Sequence, residues 1–190
     1  MRLILASASP RRLDLLARIG VVPSAVDPAN LDESHHKAEL PRVYAQRIAR
    51  EKADDVAARH PGAVVLAADT VVAVGRRILP KAEDGATAQS CLELLSGRRH
   101  RVLTAVTVID AQGTARHRLS VTTLAFKRLS AAEIANYIAS NEWQGKAGGY
   151  AIQGHAEAFV RFLGGSHSGV IGLPLFETRA LLVSAGVLDA

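Results

Sequence analysis

Dense apolar runs and helically spaced apolar positions alternate along the chain. Leu3 to Ala6 reads as a short buried strand. The chain then turns through Ser7-Ala8-Ser9 into a helix whose apolar positions Leu13, Leu16 and Ile19 recur at helical spacing, stopped by Gly20. A second helix is predicted from about Pro41 to Arg59, ended by His60-Pro61-Gly62. Ala63 to Val74 is the most apolar strand, and Gly75-Arg76-Arg77 makes the turn after it. Asp84 to Leu95 gives a third helix closed by Gly97. Val102 to Ile109 and Leu119 to Phe126 flank the turn-forming Asp110-Ala111-Gln112-Gly113, which predicts an antiparallel pair. Ser130-Ala131-Ala132-Glu133 has the form of a capping box and opens a helix to about Ser140. A glycine-rich passage with Gly145, Gly148, Gly149 and Gly154 precedes a strand at Ala158 to Leu163 and a final helix at Pro174 to Ser184. Strands and helices alternate while the central strand pair is adjacent in sequence. That order predicts an α/β fold with a mixed sheet, flanking helices and two lobes around a groove.

Composition narrows the class. The 190 residues are 48% apolar and 22% charged, enough to build a core and to make one domain over residues 1–190 the expectation. No internal repeat or linker divides the chain. Lys plus Arg number 23 against 18 Asp plus Glu, a net charge of +5 that suits anionic ligands such as phosphates without demanding a polymer. Aromatics are only 4%, and no basic stretch is interleaved with them, which disfavours nucleic-acid binding. One cysteine, Cys91, excludes an intrachain disulfide and a Cys-based zinc site and points to a reducing cytoplasm. The longest apolar runs fall short of the roughly 20 residues that span a bilayer, and the amino end does not look like a cleavable signal, so no membrane partner and no export are expected.

Several stretches carry candidate chemistry. In Ser7-Ala8-Ser9-Pro10-Arg11-Arg12, Ser9 can cap a helix with Pro10 at its first position, and two arginines at that positive end make most sense beside an anion. The structural alternative is a well-capped surface helix with two solvated arginines. Asp69, in Ala67-Ala68-Asp69-Thr70, is a carboxylate inside an apolar strand that needs a metal ion, a cation or a hydrogen-bond network, and it can alternatively take a proton from an attacking water. Asp32-Glu33 is a second pair of oxygen ligands in a polar loop, although an ordinary solvated acidic loop explains it as well. Lys52 and Lys81 are point charges suited to phosphate oxygens, or merely solvated lysines. In Gly148-Gly149-Tyr150-Ala151-Ile152-Gln153-Gly154, Gln153 offers a donor and an acceptor that complement the N3–H and carbonyl edge of uracil or thymine, although a turn-forming glycine loop explains the glycines as well. The Gly164 to Gly169 stretch could wrap a ligand or merely connect elements. No HExxH spacing and no GxSxG elbow occurs, which disfavours zinc hydrolase and serine esterase chemistry.

Taken in order, Ser7 to Arg12, Asp32-Glu33, Glu51-Lys52-Ala53, Ala68-Asp69-Thr70, Lys81 with Asp84, Leu95-Ser96-Gly97, Gly149 to Gly154 and Gly172-Leu173-Pro174-Leu175 resemble the Maf proteins over nearly the whole length. Members of that family are nucleoside triphosphate pyrophosphatases, also called septum formation inhibitors. The resemblance implies a cytoplasmic, often dimeric enzyme that depends on a divalent cation, Mg²⁺ or Mn²⁺, with a fold like that of inosine triphosphate pyrophosphatases. It implies that Asp69 is the proton acceptor, that Glu33 and Asp69 are metal ligands, and that Ser7, Arg12, Lys52 and Lys81 contact phosphate. It also implies that Arg11, Thr70 and Gln153 set a preference for dTTP and UTP. Ala82 stands where many relatives have proline, a departure that could loosen the Lys81 contact. The competing class is a non-catalytic regulator of septum formation that senses nucleotides, against which an intact Asp69 argues.

Overall fold

In a computed structural model that describes residues 1–189, the elements in chain order are β1 (Leu3–Leu5), α1 (Pro10–Arg18), β2 (Ala25–Val26), α2 (Pro41–Arg59), β3 (Val64–Val74), β4 (Arg77–Leu79), β5 (Lys81–Ala82), α3 (Gly85–Leu95), β6 (Arg99–Ile109), β7 (Ala115–Phe126), α4 (Ala131–Ala139), β8 (Lys146–Ala147), β9 (Val160–Gly164), α5 (His167–Ile171) and α6 (Leu175–Ser184). A 3-10 helix, His155–Phe159, precedes β9. The main sheet has seven strands in the order β2-β1-β3-β6-β7-β9, with β4 paired to β3 off that path. β2-β1-β3 are parallel, and every other pairing is antiparallel. The sheet is therefore mixed. β5 and β8 form a separate two-stranded ribbon.

The alternation of a strand sorts the core into two layers. Val64, Leu66, Ala68 and Val72 of β3 pack with Leu15 and Leu16 of α1, Leu92 and Leu95 of α3, and Leu181 and Leu182 of α6. Val65, Ala67 and Val71 point the other way, where α2 covers them with Tyr44, Ala45, Ile48, Ala49, Ala53 and Val56. Asp69 shares this second parity and Thr70 the first. Adjacent in sequence, they leave the strand on opposite faces.

Pairing along β3 is uneven, and this creates the groove. On one side β6 pairs with it continuously from Val65 to Ala73. On the other, β1 covers it only as far as Leu66, and β4 takes over at Val72. Ala67 to Val71 therefore have no strand partner on that side. The gap opens at the carboxyl end of β1, beside the N-terminus of α1.

Most local expectations hold. Pro10 and Pro41 open their helices, Asp84 caps α3 by accepting from Thr87 N at 2.7 Å, and both halves of the Ser130–Glu133 capping box form. Ser9 is a correction: it sits at the cap position, but its side chain makes no capping hydrogen bond. The strand expected from Ala158 begins instead at Val160, because the buried Ala156 and Phe159 are three residues apart. One 3-10 turn brings them to the same side, whereas a strand would send them to opposite faces. The Gly164 to Gly169 stretch turns into α5, capped by Ser166 accepting from Gly169 N. Gly148 is required by both backbone and space: its φ is +67°, and a Cβ there would lie 2.8 Å from Val72 Cγ1. The described residues contain no helix long and apolar enough to cross a membrane.

His100 on β6 is 2% exposed and lies edge-on to Phe126 and Tyr150, with Nε2 2.8 Å from the Tyr150 hydroxyl. Burial lowers its pKa from 6.5 to about 4. The native state therefore binds fewer protons than the unfolded chain between those values, so stability falls as the pH drops through that window. We expect urea unfolding at pH 5 to show a loss of about 2 kcal/mol relative to pH 7. A His100→Phe variant should show a shallower loss; an equal loss in both proteins would remove His100 as its source.

Candidate active site

A groove of about 460 Å³ lies over the β3 gap. Its lining includes Ser7, Arg11, Arg12, Glu33, Lys52, Asp69, Thr70, Lys81 and Gln153, so every residue singled out for chemistry by the family resemblance meets in one place. Asp32 and Asp84 do not. Asp32 accepts from Ser34 N and Ser34 Oγ within its own loop, and Asp84 caps α3. Only the second member of the Asp32-Glu33 pair faces the groove.

The centre of the site is a chain of alternating charge. Asp69 is 4% exposed, and its Oδ1 accepts from Lys52 Nζ at 2.8 Å. The same ammonium lies 3.0 Å from Glu33 Oε1, and Lys81 Nζ donates to Glu33 Oε2 at 3.0 Å. Lys52 reaches this point because it is on the buried face of α2, the helix that covers the Asp69 face of β3. Burial raises the Glu33 pKa, but Lys52 and Lys81 outweigh it and hold the carboxyl below its ordinary value. Asp69 Oδ2 has no hydrogen bond among the described residues, and the side chain borders the groove.

The Glu33 loop is tied down from α2. Tyr44 donates its hydroxyl to Glu33 O at 2.8 Å, and burial together with the charges of Asp69 and Glu33 pushes that phenol up to about 12, so it stays a donor. Arg47 grips Glu39 with two bonds of 2.8 Å and donates to Ser34 O at 3.0 Å. His35 stacks on the Tyr44 ring, with centroids 4.1 Å apart.

The opposite wall is basic. Arg12 donates to Ser7 Oγ at 2.8 Å and to Gly172 O at 2.9 Å, which joins the start of α1 to the end of α5. Burial lowers the pKa of Arg12, partly offset by the Asp69 charge, and burial lowers that of Arg11 too. Thr104 Oγ1 lies 2.7 Å from Gly169 O and 3.0 Å from Thr70 Oγ1. A carbonyl only accepts, so the single Thr104 proton goes to Gly169, and the Thr70 hydroxyl must spend its own proton on Thr104. Thr70 then presents lone pairs to the groove.

Tyr44, Thr104 and Lys146 are not among the residues that the sequence picks out, although Lys146 lines the groove and the other two position residues that do. Thr104 faces Thr70 in the β3–β6 register, and Lys146 lies on the ribbon opposite Ala82. Only the alternation around Thr104 was a visible signal, and strand register is not encoded in it.

Removing one partner of a buried ion pair strands the other charge. Lys52→Met is therefore expected to lower unfolding free energy at pH 7 by about 3 kcal/mol. Asp69→Asn should cost less, because Lys52 retains Glu33. Guanidinium unfolding curves decide it; a Lys52→Met loss no larger than that of Asp69→Asn would show that the pair does not bear on stability.

Relatives of this chain are numerous. A dTTP/UTP pyrophosphatase of Rhodospirillum rubrum is 67% identical over 184 residues, covering 97% of this chain and 88% of that protein. One of Novosphingobium aromaticivorans is 64% identical over 185 residues, covering 97% and 92%. Among solved structures, a HAM1 protein from Coxiella burnetii shares the fold with a TM-score of 0.53 at 16% identity, over 97% of this chain and 100% of that one. The family model described as Maf-like protein matches residues 2–185, and on this evidence the chain belongs to the Maf-like protein family.

Proposed function

We propose that the chain is a nucleoside triphosphate pyrophosphatase that hydrolyses dTTP and UTP to the monophosphate and pyrophosphate. The observation that carries this is the Asp69–Lys52–Glu33–Lys81 chain of charges facing a basic helix N-terminus across one groove. The names of the relatives as dTTP/UTP pyrophosphatases support it and do not favour a regulator without turnover.

In this reading the triphosphate lies between Lys52 and Lys81 on one side and Ser7 and Arg12 on the other. Water attacks the α-phosphorus, its proton passes to Asp69 Oδ2, the bond from the α-phosphorus to the bridging oxygen breaks, and pyrophosphate leaves with that oxygen. Glu33 and Asp69 suit a divalent cation, because one ammonium already bridges them and oxygen ligands are what Mg²⁺ or Mn²⁺ prefers. The described residues contain no group of three or more His, Cys, Asp or Glu side chains placed to hold a metal ion, so in this reading the remaining ligands of the cation are substrate oxygens. Such a cation would supply charge neutralisation over the phosphates. A cytoplasmic setting belongs to the same proposal, supported by the single, buried Cys91.

Base preference rests on Thr70, Arg11 and Gln153. Thr70 acts as an acceptor for a ring N–H, and Arg11 and the Gln153 amide supply donors for carbonyl oxygens, a pattern that matches uracil and thymine. Cytosine offers an amino group and an unprotonated N3 instead, and a polar group that the bound base covers without pairing costs about 1–3 kcal/mol, or about 5- to 150-fold in specificity.

Two measurements test the proposal. Pyrophosphate release across a panel of UTP, dTTP, CTP and 7-methyl-GTP should give the highest kcat/KM for UTP and dTTP, and Gln153→Glu should change the ranking. A preference for 7-methyl-GTP would sink the assignment. Asp69→Asn, folded by circular dichroism, should lose about 10²- to 10⁴-fold in kcat; near wild-type turnover would remove Asp69 as the base.

A further inference from the structure

Within the same groove, and resting on the pyrophosphatase reading, we infer that Lys52 and Lys81 serve as stand-in cations in the nucleotide-free protein, so that the divalent cation and the triphosphate bind as mutually dependent ligands. The two carboxylates suited to the cation are already engaged. Asp69 Oδ1 and Glu33 Oε1 share Lys52 Nζ at 2.8 and 3.0 Å, and Glu33 Oε2 takes Lys81 Nζ at 3.0 Å. The two lysines suited to phosphate are engaged in turn by those carboxylates. No third acidic, histidine or cysteine ligand joins them among the described residues.

Two carboxylates and two ammonium groups make the cluster formally neutral. A divalent cation arriving alone must break ion pairs at a largely buried point, and the displaced ammonium charges then remain beside it. A triphosphate arriving alone meets the two carboxylates. When both arrive, the partners exchange: the carboxylates turn to the cation and the lysines to phosphate oxygens, so no carboxylate or ammonium of the cluster is left unpaired, and Arg11 and Arg12 line the same groove for the remaining phosphate charge. The free energy of each binding step therefore depends on the other, and linkage makes the effect equal in both directions. Lys52 and Lys81 thus have two successive partners, carboxylate before substrate and phosphate after it.

The two lysines differ in how freely they can exchange. Lys81 is exposed on the two-residue β5, whereas Lys52 is buried in the middle of α2. Lys81→Met can remove one stand-in without disturbing the fold. Its expected signature runs in opposite directions for the two ligands: affinity for the lone cation rises, and affinity for the nucleotide without metal falls. Simple loss of a binding residue would not tighten anything. Lys146→Met is the control for a general charge effect, since Lys146 lines the same groove but its amine bonds to Gln144 O rather than to Glu33 or Asp69.

The test uses the full chain, Mn²⁺ followed by electron paramagnetic resonance, and α,β-methylene-UTP, which cannot be cleaved at the scissile bridge. Equilibrium dialysis measures analogue binding in EDTA and in Mn²⁺, and a parallel titration measures Mn²⁺ on the analogue without protein. Wild-type protein should bind Mn²⁺ at least tenfold more weakly alone than in the analogue complex, and that complex should hold Mn²⁺ more tightly than the free analogue does. Lys81→Met should strengthen lone Mn²⁺ binding severalfold and weaken analogue binding in EDTA; Lys146→Met should leave lone Mn²⁺ binding unchanged. Equal Mn²⁺ affinity with and without analogue, or no gain in Lys81→Met, overturns the inference while leaving the pyrophosphatase reading intact. Failure of the analogue to bind under any condition overturns both.

Discussion

A carboxylate placed in the most apolar strand of a protein must be paired or it will not stay charged, and much of this site follows from how Asp69 meets that requirement. Its partner, Lys52, has to approach from the layer that covers the same face of β3, which is α2. The same helix then serves as the mounting for Glu33: Tyr44 and Arg47, eight and five residues before Lys52 along α2, hold the Glu33 loop by its carbonyl groups. Arg47 also pushes the Glu39 carboxyl down to about 2 through two hydrogen bonds, so this clamp keeps its charge through the neutral range. One long helix thus fixes both carboxylates relative to one ammonium.

The opposite wall is built by a different device. β1 ends early, β4 begins late, and the unpaired stretch of β3 between them leaves room for α1 to point its N-terminus into the gap. Arg12 closes that wall by bonding to Ser7 and to Gly172, residues 160 positions apart in the case of the glycine. Because Asp69 and Thr70 lie on opposite faces of β3, the strand divides labour between neighbouring residues. One takes part in the charge chain on the α2 side, and the other joins the hydroxyl chain to Thr104 and Gly169 on the α5 side.

The loop that carries Gln153 has its own support. Tyr150 is buried among His100 and Phe126, and Ala151 N donates to the Tyr137 hydroxyl at 2.9 Å. Gly148 and Gly149, at φ of +67° and +69°, let this segment turn tightly against Val72 and Ala88, where any side chain would collide. An aromatic layer under the loop and two left-handed glycines at its start restrict where Gln153 can lie, which is what a side chain that reads a base edge needs.

Local chemistry was legible in the chain because its causes are local. Pro10, Pro41 and the Ser130–Glu133 box mark helix starts by satisfying backbone groups within one turn, and the apolar run of β3 with the turn at Asp110 to Gly113 marks strands that can only be buried together. The mixed sheet and the list of groove residues were readable as well, the second through resemblance. Tertiary structure alone decided the rest. Ser9 does not cap with its side chain, Asp32 turns into its own loop while Glu33 reaches the groove, and Thr104 and Tyr44 acquire their roles from residues 34 and 11 positions away. That Lys52 stands between Asp69 and Glu33 depends on strand parity and on which face α2 covers, and neither is a property of any short segment: each is set only when the helix packs on the sheet.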